Sequence, residues 1–452
     1  MSETSVEQGI QQAGGAVPLL RNSTIRPHTF PVTAEFTNWR TEQRAWRDAC
    51  ALLDQSHHMT DLYITGPDAH RLLSDLAINS FANFGPGKAK QYVAVNHEGY
   101  LIGDAVLFHL EEQHFDLVGH PMVLDWVQYN LEIGDYNATT ERDDNSFDRV
   151  SGPPRVYRYE LQGPTAAALM EKLTGAPLPD VKFFNMATFT IGGHTVRGLR
   201  HGMAGQPGFE LFGPWDEGEK VREAILAVGD EFGLVRVGAK AYSAANLESA
   251  WIPAPLPAIF SGEKLREYRE WLPLSAAGSL GGSMDSANIE DYYVTPYDVG
   301  YGRLASFDHD FVGREALQGF SENPRREKVT LVWNSDDVTE AIGSLYRPGV
   351  PAKYIEIPKA RYALHQSDQV LHNGELVGIS MDAGYLANEH LMVSLATIDL
   401  EHSRPGTELT LLWGESPNST KPLVEPHAQR EIRVTVQPAP YVRYARENYR
   451  TR

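Results

Sequence analysis

One pattern occurs twice in this chain, and it limits the folds open to it. Leu62-Tyr63-Ile64-Thr65-Gly66-Pro67-Asp68-Ala69 and Tyr159-Glu160-Leu161-Gln162-Gly163-Pro164-Thr165-Ala166 share a layout. Each reads as a strand that runs through Gly-Pro into a helix. The glycine permits a tight turn, and the proline suits the first helical position. Leu72, Leu73 and Leu76 mark one face of the first helix, and Leu169, Met170 and Leu173 mark one face of the second. Gly-Pro turns are common, so coincidence is the alternative. An internally duplicated strand–turn–helix unit is the favoured reading.

With 452 residues the chain is too long for one ordinary domain, and two or three are expected. A helix is predicted over Thr41–Leu53 and a longer amphipathic one over Glu217–Phe232, where Val221, Ile225, Val228 and Phe232 keep helical spacing. Ile252–Pro257 holds three prolines and should be an ordered loop crossing the surface or lining a cleft. Gly278–Gly282 lacks the spacing of a phosphate or dinucleotide fingerprint and reads as a flexible loop. From about Lys328 the pattern turns to strands: Val329–Trp333, Met392–Ile398 and Leu409–Trp413, with a turn at Asn373-Gly374. The division expected is 1–150, 151–325 and a C-terminal β domain over 326–452.

The 40 basic and 59 acidic residues give a formal charge of -19, which argues against a broad nucleic-acid or anionic-membrane surface. Hydrophobic residues make up 42%, enough for a globular core. The lone cysteine, Cys50, makes no intrachain disulfide and fits a reducing, cytoplasmic setting as a buried thiol. Met1–Gly15 lacks the basic start and apolar run of a signal peptide, and no segment reads as a bilayer span. His57-His58 suggests a metal only weakly, because adjacent side chains diverge and a site needs more ligands. No metal is expected. One histidine is read as a satisfied core residue, the other as a pocket-facing proton donor or acceptor.

Five further segments follow in order: Leu53-Asp54-Gln55-Ser56-His57-His58-Met59; Leu161-Gln162-Gly163-Pro164; Gly205-Gln206-Pro207-Gly208-Phe209-Glu210-Leu211; Pro296–Gly302 with Asp310–Leu317; and Leu376-Val377-Gly378 with Ser394-Leu395-Ala396. Their order resembles the glycine-cleavage T-protein (aminomethyltransferase) superfamily. Asn38–Gln43, Lys88–Tyr92, Arg200–Gly205, Leu247–Pro253, Tyr268–Leu272 and Asn288–Tyr293 are similar to its vanillate/syringate O-demethylase branch. The resemblance implies an α+β fold of three domains, with duplicated folate-binding halves and a C-terminal β-barrel-like domain. It implies one-carbon transfer from an aryl ether to tetrahydrofolate, with a small aromatic ether as substrate and no obligate protein partner.

By the same resemblance, Glu210 matches the glutamate that holds the pterin, and Gln91, Val118 and Trp251 match other folate-lining positions. A carboxylate suits that task, since it accepts two hydrogen bonds from an amino-pyrimidine edge. Trp251 is equally open to a core role, and Glu210 to a place on the surface at a strand end. Tyr242 matches the branch's catalytic tyrosine, and Gln55 and His58 match its active-site Gln and His. An aryl ether needs a proton donor near its leaving phenol in pKa, and a tyrosine, at about 10, supplies one. A tyrosine bonded to a backbone carbonyl is the alternative for Tyr242.

The substrate end departs from the branch. Benzoate-specific members place an arginine after Val-Gly, where this chain has Val118-Gly119-His120, and His28 and Phe30 stand where tyrosines are usual. Histidine cannot form the bidentate fork. The expectation is therefore a neutral aryl ether, such as a methylenedioxyphenyl lignan of the sesamin type, giving 5,10-methylenetetrahydrofolate. The alternatives are a methoxybenzoate demethylase that binds its carboxylate through another residue and gives 5-methyltetrahydrofolate, and a non-catalytic folate-binding protein. An ordinary T-protein, needing a lipoyl carrier, is disfavoured by the single aspartate at Gly103-Asp104, where those enzymes usually carry an Asp-Asp pair.

Overall fold

The computed structural model describes residues 4–415, 419 and 421–450. An N-terminal arm carries α1 (Val6–Ala13), α2 (Ala16–Asn22) and α3 (Trp39–Asp48). Asn38 caps α3 by accepting from the Thr41 amide at 3.0 Å. The helix predicted to run to Leu53 stops at Asp48, and Cys50–Asp54 forms strand β1. Cys50, Ala51, Leu52 and Leu53 are all buried, and strand pairing on both edges of this short apolar run overrides its helical reading. The Cys50 thiol is buried as expected, and burial pushes its pKa up to about 12, so it stays protonated and inert.

The repeat is larger than the sequence suggested. The first half runs β2 (Thr60–Thr65), α4 (Ala69–Asp75), β3 (Lys88–Val95), β4 (Leu101–Glu111), β5 (His114–Gly119), α5 (Pro121–Ile133) and β6 (Thr139–Asp143). The second runs β7 (Val156–Gln162), α6 (Ala166–Thr174), β8 (Met186–Ile191), β9 (His194–Leu199), β10 (Gly208–Pro214), α7 (Gly218–Gly229) and β11 (Leu234–Val237). One sheet is ordered β3-β4-β5-β2-β6, and the other, read in the same sense, β8-β9-β10-β7-β1-β11. The two correspond strand for strand once β1 is recognised as an insertion. The two Gly-Pro turns share a backbone: φ is 133° at Gly66 and 134° at Gly163. Each proline lies two residues before its helix, not at the first helical position.

In both sheets the helix-covered face is apolar. Leu62, Ile64, Tyr92, Leu107, Phe115 and Leu117 pack with Leu72, Leu73, Val123 and Trp126. Leu52, Tyr157, Tyr159, Leu161, Phe209 and Leu211 pack with Leu169, Met170, Val221 and Ile225. Strand alternation then sends the intervening side chains to the opposite face. There the two sheets present Asp61, Asp104, Asp116, Arg158, Glu160, Gln162 and Glu210, all buried.

Two short helices follow, α8 (Ala239–Tyr242) and α9 (Ala245–Ser249), and then an irregular loop through Pro257, as the prolines require. Beyond it come β12 (Leu280–Gly281), β13 (Arg326–Trp333), β14 (His365–Gln366), β15 (Asp368–His372), β16 (Glu375–Leu386), β17 (Leu391–Asp399), β18 (Glu408–Trp413) and β19 (Arg430–Pro438). The glycine-rich stretch is not a free loop. β12 pairs in parallel with β14, and Ser279, Leu280 and Gly281 are buried. The strands β13-β17-β16-β15-β18-β19 close into a barrel. Asn373 and Gly374, with φ of 52° and 83°, make the predicted turn between β15 and β16. No described helix is long and apolar enough to cross a membrane.

Candidate functional site

The polar faces of the two sheets meet around Arg158. Its guanidinium donates to Asp61 of β2, to Asp116 of β5 at 2.9 Å and to Glu210 of β10 at 3.2 Å. Phe108 and Phe212 flank it at 5.2 and 5.1 Å. Burial would push its pKa down, but the three carboxylates reverse this and hold the group charged. Glu210 is thereby fixed through one oxygen. Its other oxygen lies 4.0 Å from His201 Nδ1, which makes no hydrogen bond. Glu210 is buried, so the surface reading is excluded. Phe184 sits edge-on to His201 at 5.3 Å, and the C-terminal Tyr449 hydroxyl accepts from the neighbouring Gly202 amide at 2.9 Å.

The other predicted folate-lining residues gather on the first sheet. Gln91 pairs across with Val106, and Val106 with Val118, so the three share one face. Asp104, two residues from Val106, points the same way. It accepts from Gln91 Nε2, and from the indole Nε1 of Trp251 at 2.9 Å. Burial raises the Asp104 pKa to about 6, against the pull of these donors and of Lys328. Val118 packs with Ala89, Phe108, Leu199 and Phe212, which belong to both sheets.

Tyr242, at the end of α8, brings the predicted catalytic residues together. Its hydroxyl lies 2.9 Å from His58 Nε2 and 3.4 Å from Gln55 Nε2. Burial takes the His58 pKa down to about 4, and the ring also bonds the Gln55 carbonyl. With its pKa this low the imidazole is neutral, and a phenol that keeps its proton can donate to Nε2. Burial, with Glu160 and Glu210 nearby, raises the Tyr242 pKa well above the ordinary value and keeps its proton in place. Gln55 Nε2 also donates to Glu160, whose pKa burial raises to about 8. His57 turns the other way, to Ser146 Oγ at 2.8 Å.

A row of rings leads away from Tyr242. His58 meets it at a centroid distance of 5.2 Å, Phe30 meets His58 at 6.2 Å, and His28 meets Phe30 at 6.3 Å. Phe147 stacks on His28 at 3.8 Å. His120 caps the start of α5 by position, but its side chain makes no capping bond. It has an exposed face, yet burial, helped by Arg361 and His28, pushes its pKa to about 4. A separate groove of about 650 Å³, lined by Pro18, Leu19, Ile25 and Leu274, contains none of these residues.

Each predicted residue therefore stands in one of three linked clusters: Glu210; Gln91, Val118 and Trp251; and Tyr242, His58, Gln55, Phe30, His28 and His120. Arg158, Glu160, His201 and Arg361 were not anticipated. The first two carried a signal in Tyr157-Arg158-Tyr159-Glu160-Leu161-Gln162, where charged residues alternate with apolar ones. On a strand central to its sheet, such charges face an interior and not solvent.

The family model described as the GCVT N-terminal domain matches residues 9–254. Syringate O-demethylase from Sphingobium sp. strain SYK-6 is 46% identical over 450 residues, 98% of this chain and 97% of that protein. Sesamin methylene transferase from Sinomonas sp. strain No.22 is 31% identical over 417 residues, covering 86% of this chain and 85% of that one. The crystal structure of the glycine cleavage system aminomethyltransferase T from Bartonella henselae superposes with a TM-score of 0.61 at 17% identity, covering 92% and 94% of the two chains, a likeness of fold. Fold and site together define a transferase of the tetrahydrofolate-dependent class. The chain belongs to the glycine-cleavage T-protein (GCV_T) family.

The residues present suit a reduced pterin. One Glu210 oxygen and the unpaired Nδ1 of His201 offer polar contacts beside the apolar surface of Val118 and Phe184. An unpartnered buried nitrogen is costly unless a ligand satisfies it.

Proposed function

We propose that this protein removes the methyl group of a methoxylated aromatic ether and passes it to tetrahydrofolate. The observation that carries the reading is the Tyr242 hydroxyl, within reach of His58 and Gln55 at the head of a row of rings. Tetrahydrofolate, when bound, supplies the nitrogen nucleophile that accepts the one-carbon unit. Glu210, anchored by Arg158, holds the pterin edge, with Gln91, Val118 and Trp251 along the same face. His28, Phe30 and His120 line the aromatic substrate.

As the carbon–oxygen bond breaks, its electron pair goes to the aryl oxygen, which takes the Tyr242 proton; the proton the methylated nitrogen would lose restores the tyrosine. Gln55 Nε2 donates to the tyrosine oxygen and steadies the charge left on it. Burial keeps Tyr242 protonated before reaction, so the donor is loaded when charge grows on the ether oxygen. The 46% identity to a syringate O-demethylase across nearly the whole chain supports a methoxy group as the scissile one.

A second reading is favoured by His120. A neutral imidazole in place of an arginine suits an uncharged methylenedioxyphenyl ether, and the 31% relative is named a sesamin methylene transferase. The two readings differ in the folate they yield. Incubation with tetrahydrofolate and either syringate or sesamin, followed by mass analysis of the folate, separates them. The first predicts 5-methyltetrahydrofolate from syringate, the second 5,10-methylenetetrahydrofolate from sesamin. Folate binding without turnover of either ether, or of any in a wider aryl-ether panel, overturns both.

A further inference from the structure

Glu160 is buried on β7, paired across the sheet with Leu53 of β1 and Glu210 of β10, and takes no part in the proton transfer from Tyr242. Its two oxygens have separate partners. Oε1 accepts from the Met203 amide at 2.5 Å, and Oε2 accepts from Gln55 Nε2. The same Gln55 nitrogen lies 3.4 Å from the Tyr242 hydroxyl. An amide nitrogen carries two hydrogens, so it serves both acceptors at once. A line of contacts therefore runs from Met203 through Glu160 and Gln55 to Tyr242.

The Met203 end of this line is firmly held. The Arg200 carbonyl accepts from the Phe184 amide at 3.0 Å, the Gly202 amide donates to the Tyr449 hydroxyl at 2.9 Å, and the Ala204 amide donates to Gln162 Oε1 at 3.0 Å. The turn is also tightly packed. A Cβ at Gly202 would come 2.3 Å from the Gln206 carbonyl oxygen, and one at Gly205 would come 2.6 Å from the Ala445 side chain. The other end needs direction from outside. A glutamine amide has nearly the same shape either way round. Turned over, Gln55 would set an oxygen against Tyr242, where it would compete for the phenol proton and repel the charge left after transfer. A carboxyl group keeps a lone pair on each oxygen whether or not it is protonated, so Glu160 can accept from Met203 and Gln55 together in either state.

We propose that Glu160 is a positioning residue for the transfer step: braced by the Met203 amide, it holds the Gln55 amide with its nitrogen toward the Tyr242 oxygen. The inference rests on the reading of Tyr242 as the proton donor and adds the group that orients the donor's partner. Glu160 acts through Gln55, and not on the ether itself. The turn that carries His201 on the pterin side thus also sets the geometry at the phenol.

A double-mutant cycle separates this role from general support of the fold. Glu160→Met removes both acceptors, Gln55→Ala removes the link, and a third variant carries both changes. With syringate and tetrahydrofolate, Glu160→Met should lower kcat on the order of 10–100-fold, while the syringate KM and the calorimetric tetrahydrofolate Kd move by less than about threefold. In the Gln55→Ala background the same substitution should cost kcat nothing further. Losses that multiply overturn the proposal, and so does an unchanged kcat in Glu160→Met. Glu160→Gln, which keeps one acceptor, should lose less, and it allows the comparison if Glu160→Met does not fold. If wild type turns over no ether, the aryl-ether reading fails, and the crystal structure of the Glu160 variant decides this inference alone. A Gln55 amide turned or moved away from Tyr242 supports it, and one left in place overturns it.

Discussion

The hydroxyl of Tyr242 stands 2.9 Å from Nε2 of His58, although the residues are 184 positions apart. One comes from the short helix after the second half, the other from the link between β1 and β2. Burial keeps the imidazole neutral and the phenol protonated, so the pair can hold the phenol proton toward Nε2. Tyr242→Phe removes the proton donor and keeps the ring. Turnover should fall on the order of 10²–10⁴-fold while tetrahydrofolate binding, measured by calorimetry, stays within a factor of two or so. Unchanged turnover would remove Tyr242 from the mechanism.

Arg158 is the hinge pin between the halves. Arg158→Met leaves Asp61, Asp116 and Glu210 facing one another without a cation, which should cost about 3–5 kcal/mol in a denaturant titration. Asp116 and Glu210, whose pKa values burial already raises, then lose the cation that opposes the rise. Groups raised in the folded state lose their stabilising effect as pH rises, and the variant should regain stability on mild acidification. A loss independent of pH would contradict this.

Glu160 gives a second pH signature. Its folded pKa, about 8, lies above the ordinary carboxyl range because of burial, so the native state holds a proton that the unfolded chain has released near pH 4–5. Its contribution is complete below that range and is lost as pH climbs through about 8. Melting temperatures between pH 5 and 9 should therefore decline less steeply in Glu160→Gln than in wild type. Parallel profiles would show that Glu160 is ionised throughout.

The paired turns offer a symmetric test. A Cβ at Gly66 would come 2.6 Å from the Asn137 carbonyl oxygen, and one at Gly163 would come 2.4 Å from that of Ala49. Both sites also need a φ near 133°, which L side chains rarely adopt. Gly66→Ala and Gly163→Ala should each cost about 1–3 kcal/mol or more in thermal or chemical unfolding. A tolerated alanine at either would mean that its turn relaxes.

Much of this arrangement was visible in the residues themselves. The Gly-Pro repeat pointed to the duplication, because a turn that only glycine fits leaves a mark wherever it is copied. The barrel strands and the Asn373-Gly374 turn were legible for the same local reason. Cys50–Leu53 was not, since four apolar residues suit a helix and a doubly paired strand alike, and only distant β7 and β11 decide between them. Gly278–Gly282 misled because its partner strand, His365–Gln366, is remote in sequence.

The placement of β1 bears on how the protein is made. The strand that fills the gap between β7 and β11 is translated before either of them, and before the whole first half. The second sheet therefore cannot close as a local event. Its completion must recruit a segment already emerged, across an intervening unit. A fragment beginning at residue 151 would carry every other strand of that sheet and still lack the one that joins β11 to β7. The two halves, alike in design, are unequal in autonomy, and removing the chain through β1 should injure the distant half.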